Sequence, residues 1–144
     1  MPDQKEIAGF LATVPLFKSL KRGQLETLAK QASVQSFEPD QEMVTQGKSG
    51  VGLFILMSGE AHAVHMQPDG TRTVVNVFGP TDFFGELALL SEGPRTASVV
   101  ATTPTECLVL THWTFLSVLR KDAEMAVAVL EELAWRFSVA LQVI

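Results

Sequence analysis

At 144 residues, 47% of them apolar, the chain has material for one domain around one core, which excludes a two-domain enzyme. No apolar run approaches the roughly 18 to 20 residues of a membrane span. The start Met1-Pro2-Asp3-Gln4-Lys5-Glu6 lacks the features of an export signal and Cys107 stands alone, so no membrane contact, no disulfide framework and a cytoplasmic location are expected. The net charge of −5, with no long basic run, argues against direct nucleic-acid contact, although a local site can still hold an anion.

Residues 4–32 carry Leu16, Leu20, Leu25, Leu28 and Ala29 at spacings near three and four, which predicts helices broken at Pro15 and Gly23. Short β-type runs follow at Val34–Phe37, Leu53–Met57, Ala61–Met66, Thr73–Phe78, Thr96–Ala101 and Cys107–Leu110. Turn signals separate them, Pro68-Asp69-Gly70 being the strongest hairpin signal. Strands this short and closely punctuated predict a sandwich, roll or barrel rather than a parallel sheet with crossover helices. After Leu110 the helical period returns, with Thr111 predicted to cap a helix over Trp113–Leu119 and Asp122 a longer helix to the chain end. In that helix Ala126, Leu130, Leu133, Phe137, Ala140 and Ile144 form a heptad-like stripe, either laid on the roll or pairing with its twin in a homodimer. The last residues offer no helix stop, so the natural protein is expected to continue beyond Ile144.

The segment from Phe83 to Val99 carries the chemistry. A glycine, Gly85, leaves an apolar strand end, Glu86 to Leu90 are good helix formers, and Gly93-Pro94 stops them before the next strand. The first amides of a helix lack intrahelical partners, and a residue without Cβ lets an anion approach them, so the Gly85 end predicts a phosphate cradle. Arg95, nine residues after Glu86, can close over a phosphate with a two-pronged hydrogen bond. Glu86 suits no bare anion, but a carboxylate there can accept from a ribose 2′-hydroxyl. Sugar hydroxyl plus single negative charge describes a cyclic mononucleotide.

This segment resembles the phosphate-binding cassette of the cyclic nucleotide-binding domains of catabolite activator proteins, regulatory subunits of cAMP-dependent protein kinase and cyclic nucleotide-gated channels. Pro15-Leu16-Phe17, Gln46-Gly47, Leu53 through Gly59 and Gly70 are similar to that family outside the cassette. The resemblance implies a mainly β fold with flanking α, an eight-stranded double-stranded β-helix (a jelly-roll-like β-roll) with N-terminal helices and a C-terminal lid helix. It divides a single domain over 1–144 into a helical cap at 1–33, a roll at 34–110 with the cassette at 84–98, and C-terminal helices at 111–144. By position, the backbone at Gly85, Leu87 and Ala88 would bind exocyclic phosphate oxygens, Glu86 the ribose 2′-hydroxyl and Arg95 the phosphate charge. Thr96 and Ala97 would line the same wall. Ala63, Val75 and Phe78 would wall the base, with Trp135 or Phe137 stacking on it from the lid helix.

The chain departs from the family pattern at two places. Thr81 replaces the usual turn glycine before Asp82, which should alter the loop rather than the pocket, and Ala140 and Leu141 stand where bacterial activators place small hydroxyl residues. The ligand expected is cAMP ahead of cGMP, with no further cofactor, in a regulatory or sensor module rather than an enzyme. Two alternatives remain: the sensor half of a Crp/Fnr-type transcription regulator whose DNA-binding domain lies outside this chain, or a degenerate roll in which Arg95 is tied to Glu86 or Glu92 and no nucleotide binds. His62, His65 and His112 lack the spacing and partners of a metal site, Cys107 reads as a core residue, and Glu131-Glu132 reads as a solvated face.

Overall fold

A computed structural model describes residues 2–48, 52–85 and 97–141, without the side chains of Ala140 and Leu141. The described residues form two compact units. Ala32–Thr114 makes the β-roll, and the residues on either side of it in sequence make a helical unit.

The roll has eight strands among the described residues: β1 (Ser33–Phe37), β2 (Glu42–Val44), β3 (Gly52–Ser58), β4 (Ala61–Met66), β5 (Arg72–Phe78), β6 (Phe83–Phe84), β7 (Ser98–Ala101) and β8 (Thr105–Thr111). They build two four-stranded antiparallel sheets, ordered β1-β8-β3-β6 and β2-β7-β4-β5. β2 and β6 escape a sequence reading because two or three residues cannot display a period of two. The expected strand from Thr96 begins at Ser98, Ala97 lying in a bend.

Between the sheets lies one apolar cluster of complementary sizes. The first sheet contributes the bulky Phe37, Phe54, Leu56 and Phe84, and the second contributes the small Ala61, Ala63 and Ala101 with Val99 and Phe78. Large against small lets two inner faces interdigitate at interior packing density. The hairpin between β4 and β5 turns at the expected residues: Gly70 N–H donates to the Gln67 carbonyl at 2.9 Å, and Asp69 Oδ1 accepts from the Thr71 amide at 3.0 Å and its hydroxyl at 2.7 Å. Those bonds, the amide's first, hold the Asp69 carboxyl below its ordinary value.

β3 is bounded by glycines at points of close approach. A Cβ on Gly52 would collide with the Leu110 carbonyl of β8, and one on Gly59, whose φ is +93°, would meet the Pro104 carbonyl oxygen at 2.5 Å. Thr81 adopts φ +73°, a region costly for a β-branched side chain. Its turn is nonetheless fully bonded: Thr81 N–H donates to the Leu56 carbonyl at 2.9 Å and Gly79 N–H to Asp82 Oδ2 at 2.8 Å.

The helical unit contains α1 (Gln4–Leu11), a 3-10 turn at Pro15–Phe17, α2 (Arg22–Gln31), most of α3 (His112–Lys121) and α4 (Ala123–Leu141). Pro15 does open a break, but Gly23 does not, because it sits in the first turn of α2 where its amide needs no intrahelical acceptor. There the Gln24 Oε1 accepts from the Lys21 amide at 2.9 Å, half of a capping box. Thr111 and Asp122 cap as expected: Thr111 Oγ1 accepts from the Thr114 amide at 3.3 Å, and Asp122 Oδ1 from the Met125 amide at 3.0 Å.

One expectation about α4 is corrected, and its apolar residues divide between a buried and an exposed line. Its buried line is Met125, Val129 and Glu132, while Leu130 and Phe137 of the expected stripe are exposed. The helix is apolar nearly all round, so several stripes share the three-four spacing and packing selects one. Glu131 is exposed, but Glu132 is only 8% exposed and therefore not part of a solvated face. Its partner is Lys18, whose Nζ lies 3.4 Å from Glu132 Oε2.

Candidate functional site

The described part of the site grows out of β6. Phe83 and Phe84 pair with Ile55 and Phe54 on β3, which brings the rings of Phe84 and Phe54 into a stack with centroids 5.1 Å apart and planes within 7°. Phe84 also meets Phe78 of the opposite sheet at 5.2 Å, and Phe54 meets Phe37 at 6.3 Å. The result is a chain of four aromatic rings crossing the roll. Each such contact adds roughly 0.5–1.5 kcal/mol beyond area burial.

At the end of this floor Gly85 turns with φ +87°, the left-handed region that only glycine enters freely. Glu86, Leu87, Ala88, Arg95 and Thr96, on which the phosphate and ribose roles were placed, lie outside the described residues, as does the expected short helix. Past them Ala97, half-buried, packs against the same apolar cluster. The cassette therefore starts and finishes on one apolar wall, anchored by Phe84 and Ala97.

Of the residues expected around the base, Ala63 and Phe78 belong to that cluster. Val75 is 47% exposed: it is the extra residue of a bulge, since Ala63 pairs with Asn76 and the next residue, Val64, with Val74. Trp135 and Phe137 are exposed on α4, in the helical unit. There Lys18 Nζ stands 5.7 Å from the Trp135 ring centroid, so this indole already carries a cation. A cavity of about 320 Å³ opens beside it, lined by Lys18, Ser19, Glu131, Glu132 and Trp135 among others.

Sequence reading missed two polar residues at the far end of the cassette. Ser98 is 4% exposed at the start of β7, and its Oγ accepts a hydrogen bond from the Gln46 amide at 2.8 Å. Gln46 Oε1 accepts in turn from the Met66 amide at 2.8 Å. The available signal was a serine opening the otherwise apolar run Ser98-Val99-Val100-Ala101.

Other reactive candidates are accounted for by local structure. Cys107 is buried, and desolvation pushes its thiol up to about 12, which makes it a poor nucleophile at neutral pH. His62 Nε2 lies 3.1 Å from Glu60 Oε2, and Thr102 Oγ1 donates to the same oxygen at 3.2 Å. Among the described residues no three His, Cys, Asp or Glu side chains gather as metal ligands, and no helix is long and apolar enough to cross a membrane.

Residues 34–122 match the family described as the cyclic nucleotide-binding domain. Among curated proteins, a cAMP-dependent protein kinase regulatory subunit of Mucor circinelloides f. lusitanicus is 35% identical over an alignment of 130 residues that covers 85% of this chain and 30% of that protein. The chain thus spans about a third of that relative's length. Among solved structures, the N-terminal domain of a transcriptional regulator from Streptomyces coelicolor A3(2) is 29% identical with a TM-score of 0.84, covering 92% of this chain and 93% of that one. The regulatory domain of Toxoplasma gondii PKA, crystallised with cAMP, is 31% identical with a TM-score of 0.74, covering 82% of this chain and 46% of that one. With a family match over more than half its residues and a roll of eight strands in two sheets, this chain belongs to the cyclic nucleotide-binding domain family.

Proposed function

We propose that the chain is a regulatory sensor module that binds a cyclic mononucleotide, cAMP ahead of cGMP, in the cassette 84–98. The observation carrying this reading is the pair of flanks: Phe84 with Gly85 before the segment that contains Glu86 and Arg95, and Ala97 after it, rest on a single apolar floor. In this reading the amides of Gly85, Leu87 and Ala88 donate to the phosphate, Arg95 neutralises it, Glu86 accepts from the ribose 2′-hydroxyl, and Thr96 and Ala97 line the wall. Ala63, Val75 and Phe78 face the base. Trp135 and Phe137 are the candidates to stack on it from the last helix. The preference for cAMP is supported by two relatives whose names refer to it.

Binding is expected to reposition the C-terminal helix, since a ligand shifts an equilibrium by its differential affinity for the two states. The exposed line Val127, Leu130, Ala134 and Phe137 on α4, spaced by three, four and three, supplies a seam for a homodimer. No catalytic turnover, no further cofactor and no direct nucleic-acid contact by this chain belong to the reading. Calorimetry with cAMP and cGMP tests it: Arg95→Ala should weaken binding about a hundredfold, close to 2.7 kcal/mol. Unchanged affinity in that variant, or release of AMP from cAMP, would overturn it.

A second reading is favoured by the likeness to the Streptomyces coelicolor regulator domain over nearly the whole of both chains. Here the module is the sensor half of a Crp/Fnr-type transcription regulator. The sequence of the full gene decides between them, a helix-turn-helix after Ile144 supporting the second.

A further inference from the structure

The cassette's two ends are held by different means. At its entry the hold is apolar and aromatic, through the Phe54–Phe84 stack. At its exit a polar hold joins the apolar contact of Ala97. Ser98 is almost fully buried, pairs with Val64 in the β4–β7 ladder, and accepts the Gln46 amide through its hydroxyl oxygen. Gln46 then accepts the Met66 amide, two residues beyond Val64 on β4. One serine and one glutamine thus tie together the turn after β2, the end of β4 and the beginning of β7.

A hydroxyl at a buried strand position carries a desolvation cost that alanine or valine would avoid, and it is tolerated because it satisfies an otherwise orphaned, part-buried amide. Its neighbour Val99 sits in the apolar cluster, so the polarity of Ser98 belongs to the opposite face of β7. Fixing the strand start accounts for it. Ser98 follows Arg95 by three residues in sequence, so the tether lies close along the chain to the arginine. Geometry at a phosphate clamp is demanding, because a two-pronged guanidinium bond loses strength with small displacements.

We infer that Gln46 and Ser98 are positioning residues for the phosphate clamp, acting through the start of β7 rather than by touching the ligand. This rests on the nucleotide-binding reading above. The test compares cAMP affinity by calorimetry with stability by urea denaturation in the full chain. Ser98→Ala and Gln46→Ala should each weaken cAMP binding about tenfold, the double variant no more than either alone because both cut one relay. Gln46→Glu, which keeps an acceptor for the Met66 amide, should bind within about twofold of the parent.

Thr105→Ala is the control. Thr105 is 2% exposed and its hydroxyl donates to the Thr103 carbonyl at 2.8 Å, so this variant loses stability with no link to the cassette. It should retain parental affinity. If Ser98→Ala and Gln46→Ala bind cAMP as tightly as Thr105→Ala does, the inference is overturned while the binding reading stands. If the parent chain itself binds neither cAMP nor cGMP, both fall together.

Discussion

In the roll, four aromatic rings meet across two sheets over small alanines, whereas in the helical unit Leu130, Trp135 and Phe137 remain exposed while a carboxylate, Glu132, is taken inside. The same apolar-rich composition is therefore used in two ways. The roll's inner faces bury one another's apolar surface. The last helix keeps unspent apolar surface outside and a charge within, held by a lysine whose side chain is 61% exposed. Such a region sits nearer to alternative packings than the roll does.

The largest test of that contrast is Phe84→Ala. Removing a ring at the centre of the aromatic chain should cost about 3–5 kcal/mol of unfolding free energy, read from urea denaturation. A loss below about 1 kcal/mol would mean the floor is soft. The second is the thiol of Cys107. It should resist modification by a disulfide reagent at neutral pH by more than about a hundredfold against the urea-unfolded chain. Because the folded thiol lies above its ordinary value of 9.0, its share of stability is complete below that pH and declines as pH rises toward about 12. A thiol that reacts at once in the folded chain would contradict a dry roll.

Effects in the helical unit should be smaller. Lys18→Ala leaves Glu132 without the ammonium beside it, yet that ammonium is largely solvated, so a loss of about 1 kcal/mol is expected. Trp135 fluorescence should change in the same variant because the cation leaves its ring. The smallest effect belongs to Thr81→Gly. Relief of a left-handed β-branched residue, offset by the entropy of glycine, should raise stability by about 0.5 kcal/mol in the same denaturation measurement.

What could be read from the sequence follows from how local each signal is. The Pro68-Asp69-Gly70 hairpin and the Thr111 and Asp122 caps depend on bonds spanning two or three residues, and all three are found where the residue types place them. The family's roll was legible because Gly47, Gly59, Gly70 and Gly85 punctuate the chain at turns, each with a positive φ. Glu132 was not legible, because its partner Lys18 is remote in sequence and adjacency to Glu131 suggested solvent. The bulge at Val75 is equally silent, since an extra residue in a strand of valines leaves alternation unreadable. Ser98 shows its meaning only once Gln46 is seen beside it, 52 residues away.

The two glycines that bound β3 also act as a vernier. Sliding β3 one residue along β8 in one direction would carry Leu53 into the space where Gly52 touches the Leu110 carbonyl; sliding it the other way would push Ser58 into the niche that Gly59 occupies against Pro104. Either displacement meets backbone, joined at Gly59 by the Thr105 hydroxyl, so the two glycines oppose a slip of β3 along β8. The strand that pairs Phe54 with Phe84 is therefore opposed to slipping at both of its ends.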